Sequence, residues 1–277
     1  MTDNEVETHY TKDGLYQRIM DALVAAGKDT ANLQPGDLDA VEHFHGRGMA
    51  ATAELAENLT PQPGDEILDI GSGVGGPARY FAHTYGCSVT GIDLTAEFCA
   101  IARRLNADVG LADKVKIEQG SATNLPFDDA RFDAAYSQNV SMNIADKDAL
   151  FAEAYRVLRP GGLFALSELA LADGVRGDEV IYPTPWSADG VYSFLMTEEQ
   201  TVAAAKNAGF EVMSVTDNVA TMRQFYQAQR DAVARHGPPK LGPFILMGDN
   251  AKEKGRNAAL NVENGLVRPL ELVCRRP

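Results

Sequence analysis

The stretch Ile67-Leu68-Asp69-Ile70-Gly71-Ser72-Gly73-Val74-Gly75-Gly76-Pro77 constrains the fold of this chain more than any other. A short apolar run reads as a strand, four glycines follow, and Pro77 stands where the first turn of a helix tolerates it. Backbone without a Cβ can bend this tightly and let a ligand lie against it. Free N–H groups at the following helix terminus suit a polar ligand group. Asp93 comes eighteen residues after Gly75, at the end of a second apolar run. A carboxylate there accepts hydrogen bonds from both hydroxyls of a ribose. Taken alone, a glycine loop and a distant acid also describe an ordinary structural turn. Gly71-x-Gly73-x-x-Gly76 fits the dinucleotide fingerprint as well.

Around this loop, short apolar runs alternate with helical segments. Strands are expected at 66–70, 88–93, 114–118, 132–137, 163–169 and 210–215, with helices at 77–85, 96–105, 147–158 and 197–208. Alternation of this kind predicts an α/β, doubly wound, mainly parallel sheet. Ahead of it, Leu15, Ile19, Leu23 and Ala26 fall at helical spacing, and Met49 to Leu59 is a second amphipathic stretch. Gln34-Pro35-Gly36-Asp37 reads as a loop between them. Residues 1–60 therefore read as a helical cover, and 61–218 with 266–277 as the core. Residues 219–265 read as a helical insertion before a last apolar run, Leu270 to Cys274, serving as a lid or an oligomer contact. Residues 171–195 form a turn-rich connection.

Composition narrows the partners. With 45% apolar and 23% charged residues over 277 positions, the chain can bury a normal core. A net charge of −14 argues against a nucleic-acid or anionic-membrane surface. Asp3, Glu5 and Glu7 stand where a signal peptide would be basic, and no run approaches the roughly 20 apolar residues of a membrane span. Three cysteines (Cys87, Cys99, Cys274) are odd in number and lack metal-site spacing. A cytoplasmic protein with reduced thiols and no metal is expected, with a homodimer left open.

Five stretches in order carry a resemblance. Asp69-Ile70-Gly71-Ser72-Gly73-Val74-Gly75-Gly76 resembles the first motif of the class I S-adenosylmethionine-dependent methyltransferases, and Asp93 matches their ribose-binding acid. Gln119 to Phe127 resembles the adenine-side loop, Phe132 to Ser137 the fourth strand, and Arg156-Val157-Leu158-Arg159-Pro160-Gly161-Gly162 the turn before the fifth. The resemblance implies a seven-stranded Rossmann-like sheet with an antiparallel last strand. It implies S-adenosyl-L-methionine as cofactor and S-adenosyl-L-homocysteine as product. By that match Gly71 and Gly73 approach the methionine part, Asp69 orients the loop, Asp93 holds the ribose, and Leu94 packs on the adenine. Ser121 replaces the acid that many relatives use on the adenine amino group, leaving that contact to Ser121 and the Ala122 backbone. Ser137 and Gln138 lie beside the cofactor at the end of strand four. His43-Phe44-His45-Gly46-Arg47-Gly48 is similar to a segment that folds over the methionine end, which brings in His45. Two histidines capping a surface helix are the plainer alternative.

A sulfonium methyl is already electrophilic, so the protein must mainly align acceptor, methyl and sulfur and exclude water. A base is needed only for an acceptor that arrives protonated. Catalytic candidates are Glu168, expected at the end of strand five, with Asn139 and Asn143 in the fourth-strand loop. Phosphobase relatives place an acid and a histidine where Asn139 and Asn143 stand, which argues against phosphoethanolamine. Tyr10, Tyr16, Met142, Tyr182 and Trp186 are candidate acceptor contacts, since aromatic faces attract ammonium groups. The expected activity is methyl transfer to a small molecule, N-methylation of an amine or amino acid first. C- or O-methylation of a quinone- or polyketide-like metabolite is the alternative. A non-catalytic S-adenosylmethionine-binding regulator and a nicotinamide oxidoreductase remain as readings of other classes.

Overall fold

The computed structural model describes residues 14–248 and 250–277. Seven strands form one sheet: β1 (Glu66–Ile70), β2 (Ser88–Asp93), β3 (Val115–Gln119), β4 (Phe132–Gln138), β5 (Leu158–Leu171), β6 (Glu211–Asp217) and β7 (Val267–Arg275). Their order is β3-β2-β1-β4-β5-β7-β6. β1 to β5 run parallel, and β7 lies antiparallel between β5 and β6. The alternating pattern thus produces the doubly wound sheet with its antiparallel last strand. Helices cover both faces, so β1 and β4 are buried almost throughout. On one face Phe81 stacks on Tyr136 with centroids 4.6 Å apart. On the other, Phe132, Phe151, Phe164 and Phe210 anchor the core.

The direction of winding reverses between β1 and β4, and in open α/β sheets ligands bind outside the carboxyl ends of the strands at such a point. Three helices cover that edge: α1 (Leu15–Ala25), α2 (Pro35–Glu42) and α3 (Met49–Leu59). The loop expected at 34–37 is instead the start of α2. Pro35 occupies the first helical turn, and the Asp37 carboxylate accepts from the Gln34 N–H at 2.9 Å. α2 is locked to α4 (Gly76–Tyr85) by a buried ion pair, Glu42 with Arg79. The Arg79 guanidinium also donates to Asn106 Oδ1 at 2.7 Å and to the Val74 carbonyl at 2.6 Å.

α5 (Ala96–Asp108), α6 (Lys147–Val157) and α7 (Glu198–Asn207) complete the core layers. Between β6 and β7 lie α8 (Val219–His236), α9 (Phe244–Met247) and α10 (Ala251–Glu263). β5 is longer than its apolar run. Pairing with β7 continues through Glu168↔Leu270 to Leu171↔Val267, so Glu168 lies inside the strand rather than at its end.

Candidate active site

At the end of β1 the chain turns through Gly71 (φ 82°) and Gly73 (φ 53°). A Cβ on Gly71 would lie 2.2 Å from Val140 Cγ2, whereas one on Gly73 would meet open space. The Gly71 and Ser72 N–H groups donate to the Ile92 carbonyl at 2.8 and 3.0 Å. Asp93 Oδ2 accepts from the Gly73 N–H at 2.7 Å, and Oδ1 from the Thr95 N–H at 2.9 Å. Asp93 therefore ties the glycine loop to β2. Burial raises its carboxyl above the ordinary range, and these two amides oppose that rise.

A cavity of about 340 Å³ opens over this loop. Asp69, Gly71, Gly73, Asp93 and Leu94 line one side, and Ser121, Ala122 and Phe98 the far end. Three polar atoms of lining residues are buried beneath the wall without a close hydrogen bond, Asp69 Oδ2, Ser72 Oγ and Gln138 Nε2, and the Asp69 carboxyl faces the buried Tyr136 hydroxyl. Desolvation pushes the Asp69 carboxyl up to about 8; a bound cation would bring it down again. Asp69 shows no bond to the loop that it was expected to orient.

The opposite end is walled by Phe44, Val140, Met142, Pro185, Trp186 and Leu246. His45 and Gln138 enter the same wall and meet at Thr52, whose Oγ1 lies 3.1 Å from His45 Nε2 and 3.2 Å from Gln138 Oε1. His43 Nδ1 approaches the same oxygen at 3.0 Å. The Thr52 hydroxyl donates to Gln138 Oε1, and His45 Nδ1 lies 3.4 Å from the Gly46 carbonyl. Burial holds His45 down at about 4. Asn139 takes a left-handed conformation (φ 54°), and its N–H donates to the Ser167 carbonyl at 2.8 Å. The Asn143 side chain donates to the carbonyls of Trp186 (2.8 Å) and Tyr192 (2.9 Å). The Trp186 indole N–H reaches Ser193 Oγ at 3.0 Å.

The structure thus gathers most of the sequence-derived residues into one cavity, with four exceptions. Ser137 lies beneath the floor and donates to the Ile70 carbonyl at 2.9 Å. Tyr16 bonds Asp108 at 2.7 Å, and the Arg104 guanidinium stacks 3.5 Å above its ring. Tyr182 packs beside Met142 and Trp186 in an apolar cluster without lining the cavity. Glu168 is buried on β5, facing Lys147. Tyr10 lies outside the described residues. Sequence reasoning missed Thr52, Val140, Pro185 and Leu246. Leu246 could have been suspected from the insertion around it, whereas nothing marks Thr52 within its amphipathic helix. Asp39, Glu42 and His43 bring ligand-type atoms within 4.8 Å of one another, yet a cation there would lie against the Arg79 guanidinium.

Sheet order, glycine cradle and ribose-side acid define a Rossmann-like methyltransferase domain, and residues 68–166 match the family model described as a methyltransferase domain. Sarcosine/dimethylglycine N-methyltransferase of Halorhodospira halochloris is 30% identical over 219 residues, covering 78% of this chain and 76% of that protein. The chain belongs to the family of S-adenosylmethionine-dependent methyltransferases that contains it. A sterol 24-C-methyltransferase of Gibberella zeae is 33% identical over 171 residues, 60% of this chain and 45% of that protein. The match spans about half the length of several such curated relatives. Phosphoethanolamine N-methyltransferase 2 of Haemonchus contortus, solved with phosphomonomethylethanolamine and S-adenosylhomocysteine, superposes with a TM-score of 0.72. It is 21% identical and covers 85% of this chain and 54% of that one, a likeness of fold.

Proposed function

We propose that this chain transfers the methyl group of S-adenosyl-L-methionine to a small acceptor, an amine or amino acid first. The observation that carries the reading is one continuous cavity with the glycine loop, Asp69 and Asp93 on one side and a largely apolar, aromatic wall at the other end. When bound, the cofactor supplies a methyl group already activated on a sulfonium. Gly71 and Gly73 let the ligand approach the backbone, Asp93 receives the ribose hydroxyls, and Leu94, Phe98 and Ala122 enclose the adenine. Ser121 adds a hydroxyl at that end. Asp69 Oδ2 and Gln138 are placed for the polar methionine end, with His45 closing over it. A cationic ligand suits this lining, which includes Glu42, Asp69, Asp93 and Asp146 and, among the described residues, no Lys or Arg.

The same absence of cations disfavours a phosphorylated acceptor, which calls for charge-assisted donors. Phe44 and Trp186 offer faces for an ammonium or methylated amine. A neutral amine that gains a methyl sheds a proton, which passes to water, because His45, held down at about 4, is too weak a base to take it. Met142, Pro185 and Leu246 favour a second reading, C- or O-methylation of an apolar metabolite. Leu246 comes from the insertion, whose role we assign as a lid. Three unpaired, buried cysteines fit a reducing, cytoplasmic setting. No helix among the described residues is long and apolar enough to cross a membrane.

Methyl-labelled S-adenosylmethionine incubated with separate pools of small amines, phosphorylated amines and apolar metabolites tests the assignment. Label should enter the amine pool, and calorimetry should show binding of the cofactor but not of NAD, weakened by Asp93→Asn. Binding without any labelled product would make the chain a regulator, and NAD binding in its place would overturn the reading altogether.

A further inference from the structure

The acceptor end of the cavity has two walls that are remote in sequence: the turn after β4 (residues 139–146) and the connection at 182–196. Two side chains, Lys147 and Asn143, touch both. Lys147, 7% exposed, donates from Nζ to the carbonyls of Ser141, Ile144 (2.8 Å) and Phe194 (2.8 Å). An ammonium has three N–H donors and no lone pair, so every donor is used. Asn143 adds a neutral tie between the same walls through the carbonyls of Trp186 and Tyr192. Glu168, 4% exposed on β5, faces the ammonium and supplies its counter-charge through space.

We propose that Lys147, balanced by Glu168, is a positioning residue that fastens the two walls of the acceptor site beyond the neutral ties of Asn143 and of the Phe194 N–H to the Met142 carbonyl (2.7 Å), and that its share of the fastening holds only while its ammonium is charged. This rests on the apolar end of the cavity being the acceptor side, as assigned above. It gives Glu168 a different role from that of a base touching substrate. A neutral amine keeps two N–H donors and turns a lone pair toward a third carbonyl, so one bond becomes a repulsion. A buried charge left without its partner is strongly destabilising, which makes the latch depend on Glu168.

The surroundings of Lys147 set the pH response. Glu168 is the ionisable group that faces it from β5; the 141–144 turn and the Phe194 stretch present carbonyls. Asp146 and Asp148 of its own segment are exposed, and the Asp146 carboxylate already caps the Ala149 N–H at 2.9 Å. Burial lowers the Lys147 ammonium from the ordinary lysine range, and the Glu168 carboxylate pulls it back up. Burial likewise raises Glu168, and Lys147 opposes that.

Trp186 is the single tryptophan of the chain and lies in the fastened wall, so acrylamide quenching of its fluorescence reads the latch without a known acceptor. In the full chain, quenching should rise with pH through a midpoint below the ordinary lysine value of about 10.4. Glu168→Gln should move that midpoint to lower pH by about 1 unit or more, the usual size of losing a nearby opposite charge. Lys147→Met should quench readily at every pH and show no transition. If Lys147→Met does not fold, the direction of the Glu168→Gln shift still decides. A curve flat with pH, or a midpoint unmoved or raised in Glu168→Gln, overturns the proposal, and so does loss of turnover in that variant with the quenching curve unchanged. Calorimetry with S-adenosylhomocysteine at pH 7 separates the two readings. Wild type that fails to bind it sinks the assigned function and leaves the quenching result to judge the latch.

Discussion

Acidification should weaken the fold through one histidine of the cover, by an amount that the structure sets. The His43 ring is 1% exposed, with Nδ1 on Thr52 and Nε2 unpartnered. Asp39 Oδ1 lies 3.9 Å from Nε2, too far for a hydrogen bond. Burial, aided by His45 and Arg79, lowers the imidazole to about 3. In the unfolded chain the same ring titrates near 6.5. As pH falls below about 6.5 the unfolded state therefore takes up a proton that the folded state refuses. Stability is full above that pH and is lost progressively on the way down to the folded value of about 3. At pH 5 the loss spans roughly 1.5 units, or about 2 kcal/mol from this residue alone. Urea unfolding at pH 7, 6 and 5 of wild type and His43→Asn measures it. Asparagine keeps a polar partner for Thr52 and cannot titrate. His45, lowered in the same sense, is present in both proteins and drops out of the difference. Wild type should lose about 2 kcal/mol more than the variant between pH 7 and 5. Parallel stability curves, or a His43 resonance titrating near 6.5 in the folded protein, would refute the reasoning.

The two cradle glycines should separate by phenotype. Gly71→Ala forces a Cβ against Val140 at an unfavourable φ and should lower the melting temperature sharply. Gly73→Ala meets open space, so it should cost only about 1–2 kcal/mol for its backbone while still intruding on the bound cofactor. Melting curves and calorimetry with S-adenosylhomocysteine check both. Arg79→Met should destabilise the protein by about 3–5 kcal/mol by leaving Glu42 a buried, unpaired charge. Adding Glu42→Leu should recover part of that loss in denaturant melts, and no recovery would show that packing rather than charge holds α2 in place.

Much of the architecture was legible in the chain. Periodicity located the seven strands, because a sheet covered on both faces needs short apolar runs and the helices between them need a polar side. The exceptions came from pairing and capping. β5 extends past its expected end because β7 continues to pair with it, and α2 begins in what reads as a turn because Pro35 and Asp37 together start a helix. The glycine loop and its tie to Asp93 were equally readable, since they are built from consecutive backbone and one acid at a fixed spacing.

The apolar end of the cavity was not readable in this way. It is assembled from Phe44, Met142, Trp186 and Leu246, some 200 positions apart at the extremes, and only folding brings them together. Sequence placed Glu168 and Asn143 among the catalytic candidates. Tertiary structure turned Asn143 toward two carbonyls and set Glu168 behind the wall opposite Lys147. By itself the sequence determined the sheet, its glycine turn and its acid, because those depend on local backbone geometry and on the period of burial. The environment of each charge was decided only in three dimensions, because desolvation and partnership depend on what packs nearby rather than on what lies adjacent in the chain.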